Sequence, residues 1–226
     1  MEDYNLIRED FDLFADTAEP LWNHSSAYYP LILRLAKGRP DTALEIGCGR
    51  GALSRLLAEK CGSVLGVDLS PKMTERAREL SSGVSNLDFV CENILEHMFL
   101  PESLDIIVTV ATSHHLPYEW LLETAKTALR PGGKLIVIDL YKPETAADSL
   151  FCAAAVIPNI FMNLIKNGGL QKDDAHTREL WRRHGARDTY LPLSKIREMS
   201  RRILPEAKVK RRLFWRYLLL WKKPNN

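Results

Sequence analysis

The chain has 226 residues, 46% of them hydrophobic, which is long enough for one large α/β domain but short for two. A formal net charge of +2 is too small to require a polyanionic partner, so we expect no nucleic acid. The four cysteines show no C-x-x-C spacing and no zinc-ligand cluster is visible, so we expect buried thiols and no metal. The acidic start differs from a basic signal peptide and predicts a cytoplasmic protein.

Residues 1–36 carry apolar side chains at helical spacing and predict two helices with a break near Glu19 and Pro20. Their apolar surface is large enough to dock on the remainder of the domain. This segment is rich in aromatic residues, which serve either as ordinary packing groups or as the wall of a binding site.

A strand, a glycine-rich turn and a helix follow in direct succession. Residues 43–46 form a short apolar run, Gly47, Gly49 and Gly51 come next, and residues 52–60 have the spacing of a helix. A second strand is predicted over residues 64–67, and Asp68 follows it about 20 residues after the first glycine. Such a unit is typical of a nucleoside-binding site.

The spacing of the turn is E-x-G-x-G-x-G, whereas a dinucleotide site has G-x-G-x-x-G. An acid at Glu45, two residues before Gly47, would repel a pyrophosphate but could bind an amino group. The stretch resembles motif I of class I S-adenosylmethionine-dependent methyltransferases. A nicotinamide oxidoreductase remains as an alternative that the glycine spacing disfavours.

Further strands are predicted over residues 87–91, 104–110 and 134–140, with helices over residues 70–80 and 118–130. The helix that starts at Ser70 has Pro71 in its first turn, a position that suits proline. Residues 131–133, Pro-Gly-Gly, predict a turn before the fifth strand. The segment Leu-Arg-Pro-Gly-Gly-Lys-Leu-Ile-Val-Ile-Asp resembles a second recurrent methyltransferase segment at the matching distance.

Residues 142–190 predict a helical insertion, and residues 146–165 predict a packed helix or helix pair. Asp148, Pro158 and Asn159 interrupt this apolar run, so we expect no membrane span. The insertion caps either an acceptor pocket, lined by Phe151, Phe161, Met162 and Trp181, or simply the core. A helix over residues 192–204 and strands over residues 208–213 and 215–221 complete the chain.

The resemblance implies a Rossmann-like fold with a seven-stranded, mostly parallel sheet whose last strand is antiparallel. It also implies one domain over residues 1–226. Residues 1–36 form an N-terminal helical lid, residues 37–141 the cofactor-binding core and residues 142–190 the helical cap. Residues 191–226 hold the last helix and the closing strand pair.

S-adenosylmethionine is the cofactor that the resemblance implies. The resemblance places the methionine moiety of this cofactor at Glu45 and the glycine turn, its ribose at Asp68, and its adenine at Glu92 or Asn93. The predicted cofactor-binding residues are Tyr28, Glu45, Gly47, Cys48, Gly49, Gly51, Asp68, Leu69, Met73, Glu92, Asn93, Ile94, Val110 and Ala111.

The function implied is methyl transfer to a small-molecule acceptor, by in-line displacement on an O, N, S or C atom (EC 2.1.1.-). If the acceptor needs a base, the candidates in order are His115, His114, His24 and Tyr141. The His-His pair follows the fourth strand, where ligands bind in open α/β sheets. RNA methylation and cofactor binding without catalysis are the alternatives, and the protein is expected to be a monomer or a homodimer.

Overall fold

The computed structural model describes residues 4–18, 22–38, 40–169 and 174–225. Seven strands form one sheet in this part of the chain. They are β1 (Thr42–Ile46), β2 (Ser63–Asp68), β3 (Leu87–Cys91), β4 (Leu104–Val110), β5 (Leu129–Leu140), β6 (Lys208–Arg212) and β7 (Arg216–Lys222). The expected break near Glu19 and Pro20 lies outside the described residues.

The strand order is β3-β2-β1-β4-β5-β7-β6. The first five strands are parallel, and β7 pairs antiparallel with both β5 and β6. The predicted fold, with its antiparallel last strand, is therefore confirmed. From β1 the chain adds strands towards one edge of the sheet, up to β3, and it then returns to add β4 and β5 towards the other edge. The direction of strand addition reverses between β1 and β4, and open α/β sheets bind ligands at such a switch point.

Helices cover both faces of the sheet because β1 and β4 are apolar on both faces and must be buried on both. One cluster of buried residues includes Leu121, Ile196 and Leu219, and the other includes Ile32 and Leu53. The helices are α1 (Tyr4–Phe14), α2 (Tyr29–Leu35), α3 (Ala52–Ala58), α4 (Pro71–Leu80), α5 (Tyr118–Ala128), α6 (Ala146–Ala154), α7 (Val156–Lys166), α8 (Ala175–Gly185) and α9 (Leu193–Ile203).

Two predicted boundaries differ from the structure. The α5 helix ends at Ala128, and residues 131–133 form a bulge inside β5, since the pairing with β4 jumps from Leu129 to Lys134. The last strand begins at Arg216 because Phe214 and Trp215 adopt positive φ angles of 55° and 60° and form the hairpin turn. The expectation that Trp215 opens the strand is wrong.

The α6 and α7 helices form the expected pair, but most of their large apolar side chains are exposed rather than packed. Within the described residues, Ala146–Lys166 is the one helical stretch long and apolar enough to cross a membrane, a criterion that core helices of soluble proteins also meet. Asp148 caps α6 through Thr145 and contacts Arg211 of β6, which ties α6 to the sheet. The exposed apolar residues are Leu150, Val156, Ile157, Ile160, Phe161, Leu164 and Ile165.

Candidate functional site

A cavity of about 740 Å³ opens at the carboxyl ends of β1, β2 and β4. Its floor is the glycine turn after β1, and its far wall consists of α1 and α8. This volume falls in the range of pockets that bind cofactors and small substrates. The switch point predicted from the strand order is therefore the place where the protein has room for a ligand.

The glycine turn passes close to the end of β4. Gly47 has a φ of +73°, and a Cβ atom built there would lie 2.1 Å from Oγ1 of Thr112. Gly51 has a φ of +72°, and its Cβ would lie 2.5 Å from the ring of Phe89. Only glycine fits both the backbone conformation and the space at these two positions. The turn can thus lie flat against a ligand while it packs on its neighbours.

Asp68 holds the glycine turn from the end of β2. Its carboxylate accepts hydrogen bonds from the backbone N–H of Gly49 at 2.8 Å and of Ser70 at 2.9 Å. Burial raises the pKa of Asp68, and these two N–H groups oppose the rise. Asp68 also borders the cavity, so one side chain both shapes the turn and faces the space for a ligand.

Glu45 lies on β1 beneath the turn and is only 3% exposed. Burial raises its pKa to about 8, although the hydroxyl of Ser54 donates a hydrogen bond to Oε2. No cation that would neutralise it lies in direct contact among the described residues, and Glu45 borders the cavity. A positively charged ligand group would stabilise its ionised form.

The N-terminal helix α1 closes one side of the cavity. Arg50, within the glycine turn, donates to the carbonyl oxygens of Phe14 and Thr17, both at 2.6 Å, at the end of α1. A cation at a helix C-terminus is stabilised by the helix dipole. The side chain of Asp12 accepts from Ser70 at 2.5 Å, so α1 is also joined to the start of α4. These contacts hold α1 against the glycine turn and the start of α4.

At the far end of the turn, Met73, Glu92 and Asn93 border the cavity together. The side-chain oxygen of Asn93 accepts from the backbone N–H of Leu95 at 3.2 Å, while Glu92 contacts the ring of His97. Both side chains border the cavity, where each offers an oxygen that an adenine amino group can donate to.

His114 and His115 lie in a short 3₁₀ helix directly after β4, where Ala111 has a φ of +52°. The Nδ1 atom of His114 lies 2.9 Å from Oδ1 of Asp139, at the end of β5. Burial lowers the pKa of His114, but Asp139 and Asp188 raise it more, and the net shift is upward. Asp139 is buried, and His114 holds its pKa at about 2.

His184, on α8, joins this group from the opposite wall. Its Nδ1 lies 3.2 Å from Oδ2 of Asp10 and its Nε2 lies 3.6 Å from Oδ1 of Asp188. The rings of His115 and His184 meet edge to face with centroids 5.2 Å apart. Burial lowers the pKa of His184. Three histidines and Asp188 therefore share one end of the cavity.

Three predicted site residues lie outside this cavity. Tyr28 packs in the core and its hydroxyl donates to the carbonyl oxygen of Leu213 at 2.6 Å. The Tyr141 side chain is buried beside Cys152, 3.7 Å from its Sγ, and Gly51 packs beneath the turn. The predicted residues that do border the cavity are His24, Glu45, Gly47, Cys48, Gly49, Asp68, Leu69, Met73, Glu92, Asn93, Ile94, Val110, Ala111, His114 and His115.

The insertion contributes less to the cavity than expected. Of the four aromatic or apolar residues proposed as a pocket, Trp181 borders this cavity, whereas Phe151 faces a separate groove near Leu213. Sequence reasoning missed His184 and Asp188, which also border it. No helical periodicity could have paired them, because His184 lies in the last turn of α8 and Asp188 lies beyond its end at Gly185.

Part of the chain matches known proteins. Residues 44–137 match the family model described as a methyltransferase domain. The chain is 35% identical over 102 residues to 2-methyl-6-phytyl-1,4-hydroquinone methyltransferase of Synechocystis, covering 43% of this chain and 31% of that protein. It is 28% identical over 149 residues to ubiquinone biosynthesis O-methyltransferase of Coxiella burnetii, covering 60% of this chain and 63% of that protein.

Among solved structures, phosphoethanolamine N-methyltransferase 2 of Haemonchus contortus, in complex with S-adenosylhomocysteine, has the same fold. The TM-score is 0.63 at 18% identity, with coverage of 93% of this chain and 46% of that one. The match over residues 44–137 and the shared fold together indicate a methyltransferase domain of the class I, S-adenosylmethionine-dependent type. The predictions of family, fold and cofactor are confirmed, while the matches to these two curated relatives span less than two thirds of their lengths.

Proposed function

We propose that the protein transfers the methyl group of S-adenosylmethionine to a hydroxyl group of a small, apolar acceptor. The observation that carries this proposal is one cavity bordered by Glu45 and Asp68 at one end and by three histidines at the other. The acids suit the amino group and the ribose of the cofactor. The histidines suit an acceptor that must lose a proton.

The chemistry requires little from the protein beyond placement. The sulfonium activates the methyl group, so the S–CH₃ bond breaks as the O–CH₃ bond forms, provided that the oxygen is aligned and water is excluded. The proton of the acceptor hydroxyl passes to a nearby base, and His115 is our first candidate because it borders the cavity beside Ala111.

The acceptor class follows from the wall opposite the glycine turn. Ile7, Phe11, Phe14 and Trp181 make this wall apolar and partly aromatic. The names of the two curated relatives refer to hydroquinone and ubiquinone chemistry, which supports an aromatic ring that carries a hydroxyl. We place this reaction in the cytoplasm. No observation favours RNA as the acceptor.

We expect S-adenosylhomocysteine to form when the protein is incubated with S-adenosylmethionine and hydroquinones or catechols, with or without a prenyl tail. With peptides or tRNA, S-adenosylhomocysteine should form no faster than it does without any acceptor. Mass spectrometry of the product locates the methylated oxygen. If calorimetry detects cofactor binding but no acceptor in the panel raises turnover, the protein binds the cofactor without catalysis and the proposal fails.

We also expect cofactor binding at pH 7 to release a proton from Glu45. Its pKa of about 8 leaves the carboxyl largely protonated in the free protein, and the cofactor's amino group favours the ionised form. Calorimetry in two buffers of different ionisation enthalpy measures this proton. Glu45→Gln should abolish the difference between buffers, and the exposed Glu59→Gln variant should preserve it.

The same residue makes stability depend on pH. Because the pKa of Glu45 is about 8 in the folded protein and 4.5 in the unfolded chain, the folded state binds the extra proton between these values. The contribution of Glu45 to the free energy of unfolding therefore falls as pH rises from 4.5 towards 8. In the calorimetry described above, equal heats of cofactor binding in the two buffers for the unaltered protein would contradict the role given to Glu45.

A further inference from the structure

Two histidine rings from opposite walls of the cavity point at the same carboxylate. Nε2 of His114 lies 3.9 Å from Oδ2 of Asp188, and Nε2 of His184 lies 3.6 Å from its Oδ1. All three side chains are less than 10% exposed. His114 follows β4, whereas His184 ends α8, so two separate parts of the fold converge on Asp188.

The other nitrogen of each ring is held by a second buried acid. Nδ1 of His114 lies 2.9 Å from Asp139, and Nδ1 of His184 lies 3.2 Å from Asp10. A carboxylate at Nδ1 orients each ring so that Nε2 lies on the side of Asp188, and Nε2 is then the nitrogen that a metal ion would use. Histidines that bind metal ions are oriented in this way by carboxylates on their second nitrogen.

The distances from the two Nε2 atoms to Asp188 leave room for an ion between them, while Oδ2 of Asp188 also accepts a hydrogen bond from the hydroxyl of Tyr190 at 2.7 Å. At 3.6 and 3.9 Å they exceed the length of an N–H···O hydrogen bond. Ligands that bind zinc at about 2.0–2.2 Å in a tetrahedron lie roughly 3.3–3.6 Å apart. One ligand atom from each of His114, His115 and Asp188 lies within 4.8 Å of the others, so these atoms would have to draw together by up to about 1.5 Å around an ion. His184 approaches this group through Asp188.

We propose that His114 and Asp188, together with His115 and His184, bind a divalent transition-metal ion of the zinc type at the acceptor end of the cavity. Imidazole nitrogens with a single carboxylate suit zinc, iron, cobalt or nickel rather than magnesium or calcium. No spacing of residues in the sequence predicts the site, because its ligands come from two distant segments, residues 114–115 and 184–188. The expectation of no metal site rested on sequence spacing alone.

The role of this ion in catalysis rests on the proposed function. A metal ion lowers the pKa of a bound hydroxyl, so an acceptor oxygen would lose its proton to water and attack the methyl group as an oxyanion. The histidines would then act as ligands instead of bases. Without the ion, proton removal by His115 remains, so methyl transfer and metal binding can be tested separately.

The test is titration of the chelator-treated protein with Co²⁺, followed by its visible absorption, and with Zn²⁺, followed by competition with a chromophoric chelator. We expect one ion per chain and a Co²⁺ spectrum of low-symmetry, four- or five-coordinate form. Calorimetry with S-adenosylmethionine on the same metal-free sample reports the cofactor site independently. A normal cofactor affinity without stoichiometric Co²⁺ binding would overturn the metal site and leave the proposed function standing.

Variants assign the ligands. Asp188→Asn and His184→Ala should each weaken Zn²⁺ binding by about 100-fold. Asp10→Asn should weaken it by about 10-fold, because Asp10 orients His184 while it also pairs with Arg183 and Arg187. His176→Ala provides the matched control, since His176 is exposed on the same helix. Circular dichroism and thermal melting check that each variant is folded. A folded Asp188→Asn variant that binds Zn²⁺ as tightly as the unaltered protein would refute the assignment.

Discussion

Gly47→Ala is expected to weaken S-adenosylmethionine binding by at least about 100-fold and to lower the free energy of unfolding by about 2–4 kcal/mol. The added Cβ would lie 2.1 Å from Oγ1 and 2.4 Å from Cγ2 of Thr112, on a backbone with a φ of +73°. Either the glycine turn or the end of β4 must move, and both border the cavity. Calorimetry gives the affinity, and urea denaturation gives the stability.

Two companion variants separate collision from backbone strain. Gly47→Ala combined with Thr112→Gly removes all three Thr112 atoms that the new Cβ meets and should restore part of the affinity. Gly38→Ala also has a positive φ, of +119°, but meets nothing within 4 Å and should bind the cofactor normally. An unchanged affinity in the Gly47→Ala single variant would show that the turn does not hold the cofactor as described.

The positions of the parallel strands along the chain are predictable because each strand is a short apolar run with a turn signal at its end, whereas the mostly parallel sheet follows from the family resemblance. The motif around Gly47 also predicts the cofactor cavity, since the turn, Asp68 and Glu45 are close in sequence and are positioned by the same βαβ unit. Local sequence therefore determines both the local backbone and the cofactor end of the site.

The acceptor end is not predictable in the same way. His184 and Asp188 reach the cavity only because α8 packs on α1, where Phe14 and Trp181 stack with ring centroids 4.1 Å apart. Tyr28 was expected in the site from its position in the N-terminal segment, yet its ring turns into the core. These placements depend on how helices distant in sequence pack on each other. Hydrophobic periodicity does not predict such packing.

The exposure of α6 and α7 is another feature that the sequence does not predict. Their apolar run predicts a packed helix pair, whereas their large side chains face outward in the structure. Periodicity identifies the helices correctly but does not say what covers them. The same limitation applies to Phe161, one candidate for an acceptor pocket, which is 60% exposed.

Asp68→Asn should lower the affinity for S-adenosylmethionine by about 10–100-fold and the free energy of unfolding by about 1–3 kcal/mol. The carboxylate accepts the N–H groups of Gly49 and Ser70 through separate oxygens, and an amide offers only one oxygen. One buried N–H group would then face an NH₂ group, which displaces the glycine turn. The cofactor ribose would also lose a charged acceptor.

Calorimetry and urea denaturation measure both effects, with Asp88→Asn as the matched control because Asp88 is exposed on the neighbouring strand β3. That control should leave both quantities unchanged. Asp68→Ala removes both acceptors and should reduce affinity further than Asp68→Asn does. If a folded Asp68→Asn protein bound the cofactor as tightly as the unaltered protein, Asp68 would support the turn without contacting the ribose, and the ribose would have to be held by another group at the end of β2.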